Sequence, residues 1–495
     1  MACRKMTGRL SGATVTQVRS GVMLPGYDRA ALTTRIVHLG LGAFVRAHLA
    51  CYTEDVLDRA APFWGITGVS LQRPDQRDRL APQDGLYCTL QRDGDGVTAR
   101  VVGCLHRVLV APEDPGAVIR AMADEGTRIV SLTVTEKGYC HDPATGRLDL
   151  AHPDIVHDLA HPNAPRSAIG LLVAALRERR FAGAAPFTVL CCDNLPHNGR
   201  LLAGLARDYA AAAITDGLAA WIEAEVAFPS TMVDRIVPAL TDVDIVDAEL
   251  ALGLHDATPV SHEPFRQWVI EDRFGPGGRP PWERAGAQIV ADVAPFEHMK
   301  LRLLNGAHSA LAYLVYLAGH ETISEAVADS ALRGYVQALW REIVPMVPAP
   351  TGVDLNDYTA ALLARFGNSA IRHRTWQIAM DGSQKLPQRL LTTIRERLAA
   401  GLPIPCLALA VAAWIRYAGG VDEAGRPIDV RDPMAERVRA VLDAAGSPAE
   451  RVKAVLGLHP IFGDLAGSVA FRMAVTTAYA RLLERGARAA AALSG

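Results

Sequence analysis

Residues 36–48 read IVHLGLGAFVRAH. A run of branched residues ends at Gly40 and Gly42, and a helical pattern follows directly. In such a strand–turn–helix junction the first glycine permits the tight turn. The second lets backbone N–H groups and the helix N-terminus approach a pyrophosphate, with Ala43 and Phe44 completing the loop. Val45 stands where the usual G-x-G-x-x-G has its third glycine. A plain βα turn would carry the same glycines for backbone reasons alone, so the surrounding sequence has to decide.

The surroundings favour a dinucleotide fold. Further short runs rich in branched residues follow: WGITGVSL (64–71), RIVSLTVTE (128–136) and FTVLCCDN (187–194). Helix-like AVIRAMADEG (117–126) and SAIGLLVAALRERR (167–180) separate several of them. Strands alternating with helices predict a Rossmann-type α/β domain with a mostly parallel sheet covered on both faces. LYCTLQRDGDGVTARVVG (86–103) alternates around Asp93-Gly94-Asp95-Gly96 and predicts a hairpin added locally to that sheet. A dinucleotide site also needs an acidic residue after the second strand for the adenosine ribose. Asp75 in QRPDQRD is the candidate and favours NAD, while neighbouring Arg73 could equally receive a 2′-phosphate.

GPGGRPP, residues 275–281, is the strongest breaker cluster in the chain. Beyond it the pattern is helical, as in AALLARF (360–366), LALAVAAWIRYA (407–418) and ERVKAVLGL (450–458). The expected organisation is a dinucleotide domain over 1–285 and a largely α-helical substrate or catalytic domain over 286–495, with ligands favouring a cleft.

The bulk properties bound the function. At 495 residues the chain is too long for one typical core. With 51 basic and 53 acidic residues and a net charge of -2, it offers no field for gathering nucleic acid or an anionic membrane. The apolar stretch LPIPCLALAVAAWI (402–415) is interrupted by Pro403 and Pro405 and reads as a buried helix, not a membrane span. Eight cysteines lack any C-x-x-C spacing. Together with an N-terminus lacking a signal-peptide pattern, they read as a reduced cytoplasmic protein. The expected partner is a small molecule, acted on by a monomer.

Residues 300–314 read KLRLLNGAHSALAYL. On a helix advancing roughly 100° per residue, Leu304, Ala307, Leu311 and Leu314 lie within about 40° of Lys300. His308 falls about 80° away and Asn305 about 140° away on the same wheel. A lysine packed on an apolar face has its charged form disfavoured, so it can serve as general acid and base. Asn305 can donate to a developing alkoxide and His308 can orient the same oxygen. The bland alternative is a lysine that snorkels to water near a helix start.

Other polar clusters sit at predicted strand ends. CCDNLPHNG carries Asp193, Asn194 and Asn198, TEKGYC carries Glu136 and Lys137, and TMVDRI carries Asp234. Asp234 is either a site residue or one half of an ion pair with Arg235. HEPFRQWVIEDRF (262–274) reads as a solvated helical face rather than a ligand cluster.

GLGAFVRAH, SLTVTEKGYC, CCDNLPHNG, TMVDRI, EPFRQWVIED, PFEHMKLRLLNGAH and DGSQKLPQR, in that order from about residue 30 to the C-terminus, resemble the mannitol dehydrogenase family of long-chain polyol dehydrogenases. The resemblance implies a Rossmann-type N-terminal domain, a helical C-terminal domain, NAD(H) and no catalytic metal. It implies Lys300 as acid/base, Asn194 and Asn305 polarising the reacting oxygen, and His308 positioning it. Glu297 would serve the proton path to solvent, and Asp234 the nicotinamide end of the cofactor. Val45 departs from the family's usual F-H-R-A-H.

Within the family, charge discriminates substrates. Mannonate carries a carboxylate where mannitol has none, and so needs a cationic clamp. Lys137 stands where mannitol dehydrogenases look like having glycine. Arg372, His373, Arg374, Lys385 and Arg389 cluster in IRHRTWQIAMDGSQKLPQR (371–389), with Gln377 where those enzymes place an arginine. Lys385 and Arg374 are the expected clamp, with Lys137. The expected reaction interconverts D-fructuronate and D-mannonate. Mannitol 2-dehydrogenase and tagaturonate reductase are the alternatives of the same chemistry. An NAD-binding regulator without turnover is the alternative of another class, disfavoured by the joint presence of lysine, asparagine and histidine.

Overall fold

The computed structural model describes residues 8–57, 63–94, 96–142, 145–213 and 216–494. The chain forms two compact units, Met1–Val293 and Ala294–Gly495.

Unit 1 contains, in chain order, β1 (Thr34–Leu39), β2 (Gly65–Ser70), β3 (Tyr87–Asp93), β4 (Gly96–Val102), β5 (Leu105–Val110) and β6 (Ile129–Leu132). Then come the two-residue β7 (His141–Asp142) and β8 (Arg147–Leu148), followed by β9 (Thr188–Cys191), β10 (Thr231–Asp234), β11 (Val260–His262), β12 (Gln267–Glu271) and β13 (Gln288–Val290). The main sheet is five-stranded and parallel, ordered β5-β2-β1-β6-β9. Strand order reverses between β1 and β6, which leaves a crevice at their C-terminal ends where ligands bind such sheets.

Alternation along each strand explains why both faces are covered. Val37, Leu39, Val130, Leu132 and Val189 share one core with Leu171, Leu172 and Leu176 of the helix Ala168–Phe181. Ile36, Ile66, Ile129 and Leu190 belong to a second core with Leu49, Ala50, Trp268 and Trp282. Side chains of period two pointing to opposite faces, each apolar, are the signature of a fully buried parallel sheet.

Two local expectations are corrected here. The hairpin forms, with β3 and β4 antiparallel and Asp93 opposite Gly96, although Asp95 lies outside the described residues. It joins β11 in a separate three-stranded sheet rather than the main one. The reason is its own core: Leu86, Cys88, Leu90, Ala99 and Val101 pack with Leu10, Ala248, Leu252 and Leu254. Within residues 262–274 the chain forms strand β12, Gln267–Glu271, instead of a helical face, pairing with β10 and β13. Trp268, Val269 and Ile270 are all buried, which a β-branched and aromatic run achieves on a strand enclosed on both faces. Because β13 pairs with β12, residues 286–293 go with unit 1, and the division falls at 293 rather than at the expected boundary of 285.

Every element of unit 2 among the described residues is helical, joined by loops and isolated bridges. Its centre is the helix Gly306–Leu317, buried on every side from Gly306 to Val315. The equally buried helix Pro405–Ala418 packs against it. Among the described residues no helix is long and apolar enough to cross a membrane.

Candidate active site

In unit 1 the turn after β1 depends on one glycine for geometry and on the other for access. Gly40 has φ +95°, and a Cβ there would lie 2.1 Å from the Thr133 carbonyl oxygen, so only glycine fits. The Gly40 and Leu41 amides both donate to the Val69 carbonyl, which docks the turn on β2. Gly42 caps the helix Ala43–Ala47, and its Cβ would meet nothing nearer than the Gly40 oxygen at 3.9 Å. That open face is where a pyrophosphate can approach the backbone. Arg46, buried, donates to the Gly42 carbonyl at 3.1 Å and holds the turn from below. Val45 is 2% exposed and packs into the core, so the side chain that replaces the third glycine points away from the open face.

The helix is shorter than its pattern suggests. His48 breaks it at φ −120°, ψ −90° before Leu49–Val56 resumes. Its ring stacks on Phe44 with centroids 4.9 Å apart, and its Nε2 lies 3.0 Å from the Gln267 carbonyl oxygen.

His38 is a residue that sequence reasoning passed over. It is fully buried in β1, its Nδ1 2.8 Å from Ser131 Oγ and its Nε2 2.8 Å from Thr133 Oγ1. The Thr133 hydroxyl in turn donates to the Gly40 carbonyl. Burial lowers its pKa to about 3, so the neutral ring pins β1 to β6 beneath the turn. The available signal was a polar side chain inside an otherwise apolar parallel strand.

Beyond the strand ends, Asp75 opens the helix Asp75–Leu80 just after β2, and both it and Arg73 are exposed. A cavity of about 920 Å³ runs past the C-terminal ends of three strands. Leu71 and Gln72 line it after β2, Ala111 after β5, and Val134 and Lys137 after β6. Lys137 is exposed on the tight turn Glu136–Tyr139.

The CCDNLPHNG segment divides its polar residues between structure and surface. Asp193 accepts from the Val134 amide at 2.8 Å and the Tyr139 hydroxyl at 2.7 Å, tying β9 to the turn after β6. Burial raises its pKa in spite of those bonds. Asn198 is buried and exchanges hydrogen bonds with the Thr231 backbone. Asn194 is exposed at the end of β9. Asp234 is 3% exposed at the end of β10, while Arg235 donates to the Ala47 and Glu263 carbonyls.

In unit 2 the lysine segment is not a regular α-helix. Lys300–Asn305 form a π-helical turn, and the Gly306 amide donates to the Leu301 carbonyl, five residues back. The extra residue shifts everything beyond it relative to a 100° wheel, so a single apolar stripe through Lys300 and Leu314 does not describe the segment. A second π-helical turn, Pro387–Leu391, packs against the first. The two meet at Gly306, whose Cβ would lie 3.0 Å from the Arg389 carbonyl oxygen.

Lys300 and His308 are each 6% exposed. Burial holds the His308 imidazole well below its usual pKa, reinforced by His373, Arg365, Arg389 and Lys300. His308 is therefore neutral, and the lysine lies within its electrostatic reach. Its ring stacks on Phe366 at 4.5 Å and meets His373 edge-on at 4.9 Å, leaving Nε2 buried with no hydrogen-bond partner among the described residues. A buried imidazole nitrogen in that state is available to a ligand oxygen. Asn305 is half-buried at the end of the π-turn, and Glu297 is half-buried one turn before the lysine.

The cations of 371–389 are placed differently from one another. Arg374 is exposed at the start of the helix Thr375–Ala379. Lys385 donates to the Ile378 and Met380 carbonyls at the end of that helix. Arg389 donates to Ser309 Oγ at 3.1 Å, beside His308 in sequence. The DGS triplet is structural: Asp381 is left-handed at φ 54°, a Gly382 Cβ would strike Trp414 and Tyr313, and Ser383 binds Asp432. Phe366 and Arg365 carried no signal in the sequence, because only packing brings their helix against His308.

The fold has close counterparts. Residues 34–284 match the model of the mannitol dehydrogenase Rossmann domain, and residues 292–483 that of the mannitol dehydrogenase C-terminal domain. D-mannonate oxidoreductase of Escherichia coli (strain K12) is 49% identical over 486 residues, covering 96% of this chain and 98% of the relative. Mannitol dehydrogenase 2 of Saccharomyces cerevisiae is 42% identical, covering 88% of each chain. The structure of Pseudomonas fluorescens mannitol 2-dehydrogenase in ternary complex with NAD and D-mannitol superposes with a TM-score of 0.89 at 38% identity, covering 98% of both chains. With both of its units matched in order, the chain belongs to the mannitol dehydrogenase family.

Proposed function

We propose that this chain is an NAD-dependent oxidoreductase that interconverts D-fructuronate and D-mannonate. The observation that carries the reading is a buried Lys300 within electrostatic reach of a neutral His308 whose Nε2 has no hydrogen-bond partner among the described residues. The 49% identity to D-mannonate oxidoreductase supports the choice of substrate. Gly40, Gly42, Ala43 and Phe44 cradle the pyrophosphate, Asp75 binds the adenosine ribose, and Asp234 serves the nicotinamide end. NAD(H), when bound, supplies or takes up the hydride.

The remaining chemistry belongs to side chains. Lys300 delivers a proton to the ketone oxygen in reduction and removes it from the hydroxyl in oxidation. Asn194 and Asn305 polarise that oxygen, and His308 orients it through Nε2. Glu297 passes the proton between Lys300 and solvent. Lys137, Arg374 and Lys385 are the cations assigned to the substrate carboxylate, which distinguishes a sugar acid from an uncharged polyol.

Reduction of fructuronate, tagaturonate and fructose, each with NADH and with NADPH, tests the assignment through loss of reduced-nicotinamide absorbance. Fructuronate with NADH is expected to give the highest kcat/KM. Preference for fructose would replace this reading with mannitol 2-dehydrogenase activity, for which the mannitol-bound neighbour is the supporting observation. Absence of consumption with every ketose would leave an NAD-binding regulator.

A further inference from the structure

The tight turn Glu136–Tyr139 is bracketed by two non-glycine residues in left-handed backbone, Thr135 at φ 64° and Cys140 at φ 51°. Strain of this kind persists only where the surroundings impose it. Here it brings Cys140 to the start of the helix Pro153–Ala160, where His152 and Asp154 lie. One ligand-capable atom from each of Cys140, His152 and Asp154 lies within 4.8 Å of the other two. His152 Nδ1 is 3.9 Å from Asp154 Oδ2. All three residues line the 920 Å³ cavity.

Nearby charge favours a cation. The carboxylates of Asp154, Asp158 and Asp149 lie within electrostatic reach of the Cys140 sulfur. Asp158 is already committed to the amides of Arg166 and Ser167 and to the Ser167 hydroxyl, so it contributes field rather than a ligand. The competing contact is the Asp154 amide, which donates to His152 Nδ1 at 3.2 Å. A cation seated on Nδ1 exchanges that bond for a metal bond.

One thiolate, one imidazole and one carboxylate form a mixed donor set suited to zinc and its borderline-soft neighbours, and poorly suited to magnesium or calcium. The geometry points to a site for a divalent cation of the zinc class at Cys140, His152 and Asp154, with its fourth position open to the cavity. Binding forms a sulfur–metal bond, breaks the sulfur–hydrogen bond and releases that proton to solvent. The three ligands share their cavity with Lys137, one of the cations assigned to the substrate carboxylate.

Titration of the full chain with Co²⁺ tests it. A thiolate-to-cobalt charge-transfer band is expected to saturate near one equivalent and to disappear when Zn²⁺ is added. Cys140→Ser should abolish the band. Asp154→Asn, at a half-exposed side chain, should weaken Co²⁺ binding by roughly tenfold or more with little change in the thermal melt. No band in the parent protein, or an undiminished band in Cys140→Ser, overturns the proposal.

Discussion

The glycine turn of unit 1 and the lysine turn of unit 2 both depart from regular backbone beside a candidate binding position, and they do so by opposite means. At Gly40 the departure is written into one residue: φ is +95°, and a Cβ would collide with Thr133. At Lys300–Asn305 no glycine or proline interrupts the helical pattern, and the wide turn lies packed against a second one, Pro387–Leu391. A turn set by backbone sterics can be read locally. A turn set by packing cannot.

The largest effect that tests this contrast is Lys300→Ala. Turnover should fall by about 10²–10⁴-fold, the range of a positioned acid or base, while NADH affinity measured by fluorescence titration stays near that of the parent. Equal loss of both would mean that the lysine turn supports cofactor binding rather than chemistry. Gly40→Ala should do the reverse. A forced left-handed residue costs about 1–3 kcal/mol, so NADH affinity should weaken by roughly tenfold or more and the melting temperature should drop. Unchanged NADH affinity would remove the turn from the cofactor site.

Gly306→Ala probes the packed turn more gently. Its new methyl forces the Arg389 carbonyl to retreat by a few tenths of an ångström. The better helix propensity of alanine, about 1 kcal/mol, offsets much of the packing cost. Stability should therefore change little, while kcat falls several-fold with NADH affinity intact. A variant with parental kcat would show that the π-turn tolerates displacement.

The smallest effect concerns acid. His373, beside His308, is held to a pKa of about 4 by burial and by Arg365. Unfolded, the same ring takes its proton near 6.5. Between pH 6.5 and 4 the unfolded chain binds the extra proton, so stability is lost as pH falls through this window. His373→Gln should shrink the drop in urea midpoint between pH 7 and pH 4.5. His38, beneath the glycine turn and held to about 3 by burial alone, supplies the matching control in unit 1.

Much of unit 1 was legible because its signals are local. Branched runs become buried strands, and glycine spacing marks the tight turn after β1. The hairpin between Tyr87 and Val102 was legible as a hairpin, but its sheet was not, since that depends on Ala248, Leu252 and Leu254 far along the chain. Residues 262–274 were misread as helix for the same reason: only the pairing of β12 with β10 and β13 decides between two periodicities in a short apolar run. In unit 2 the lysine, asparagine and histidine stood out by type, whereas Phe366, Arg365 and Ser309, which surround His308 and Arg389, did not.

The sequence by itself determined the succession of a parallel α/β unit and a helical unit, the glycine turn, and the chemical inventory of lysine, imidazole and carboxamide. These follow from residue periodicity and from backbone sterics, which act over a few residues. Only the tertiary structure decided the register of the lysine turn, the neutrality of His308 and the engagement of Lys385 with backbone carbonyls. Each of those depends on desolvation and contact with segments distant in the chain, and such terms do not exist until the chain has folded.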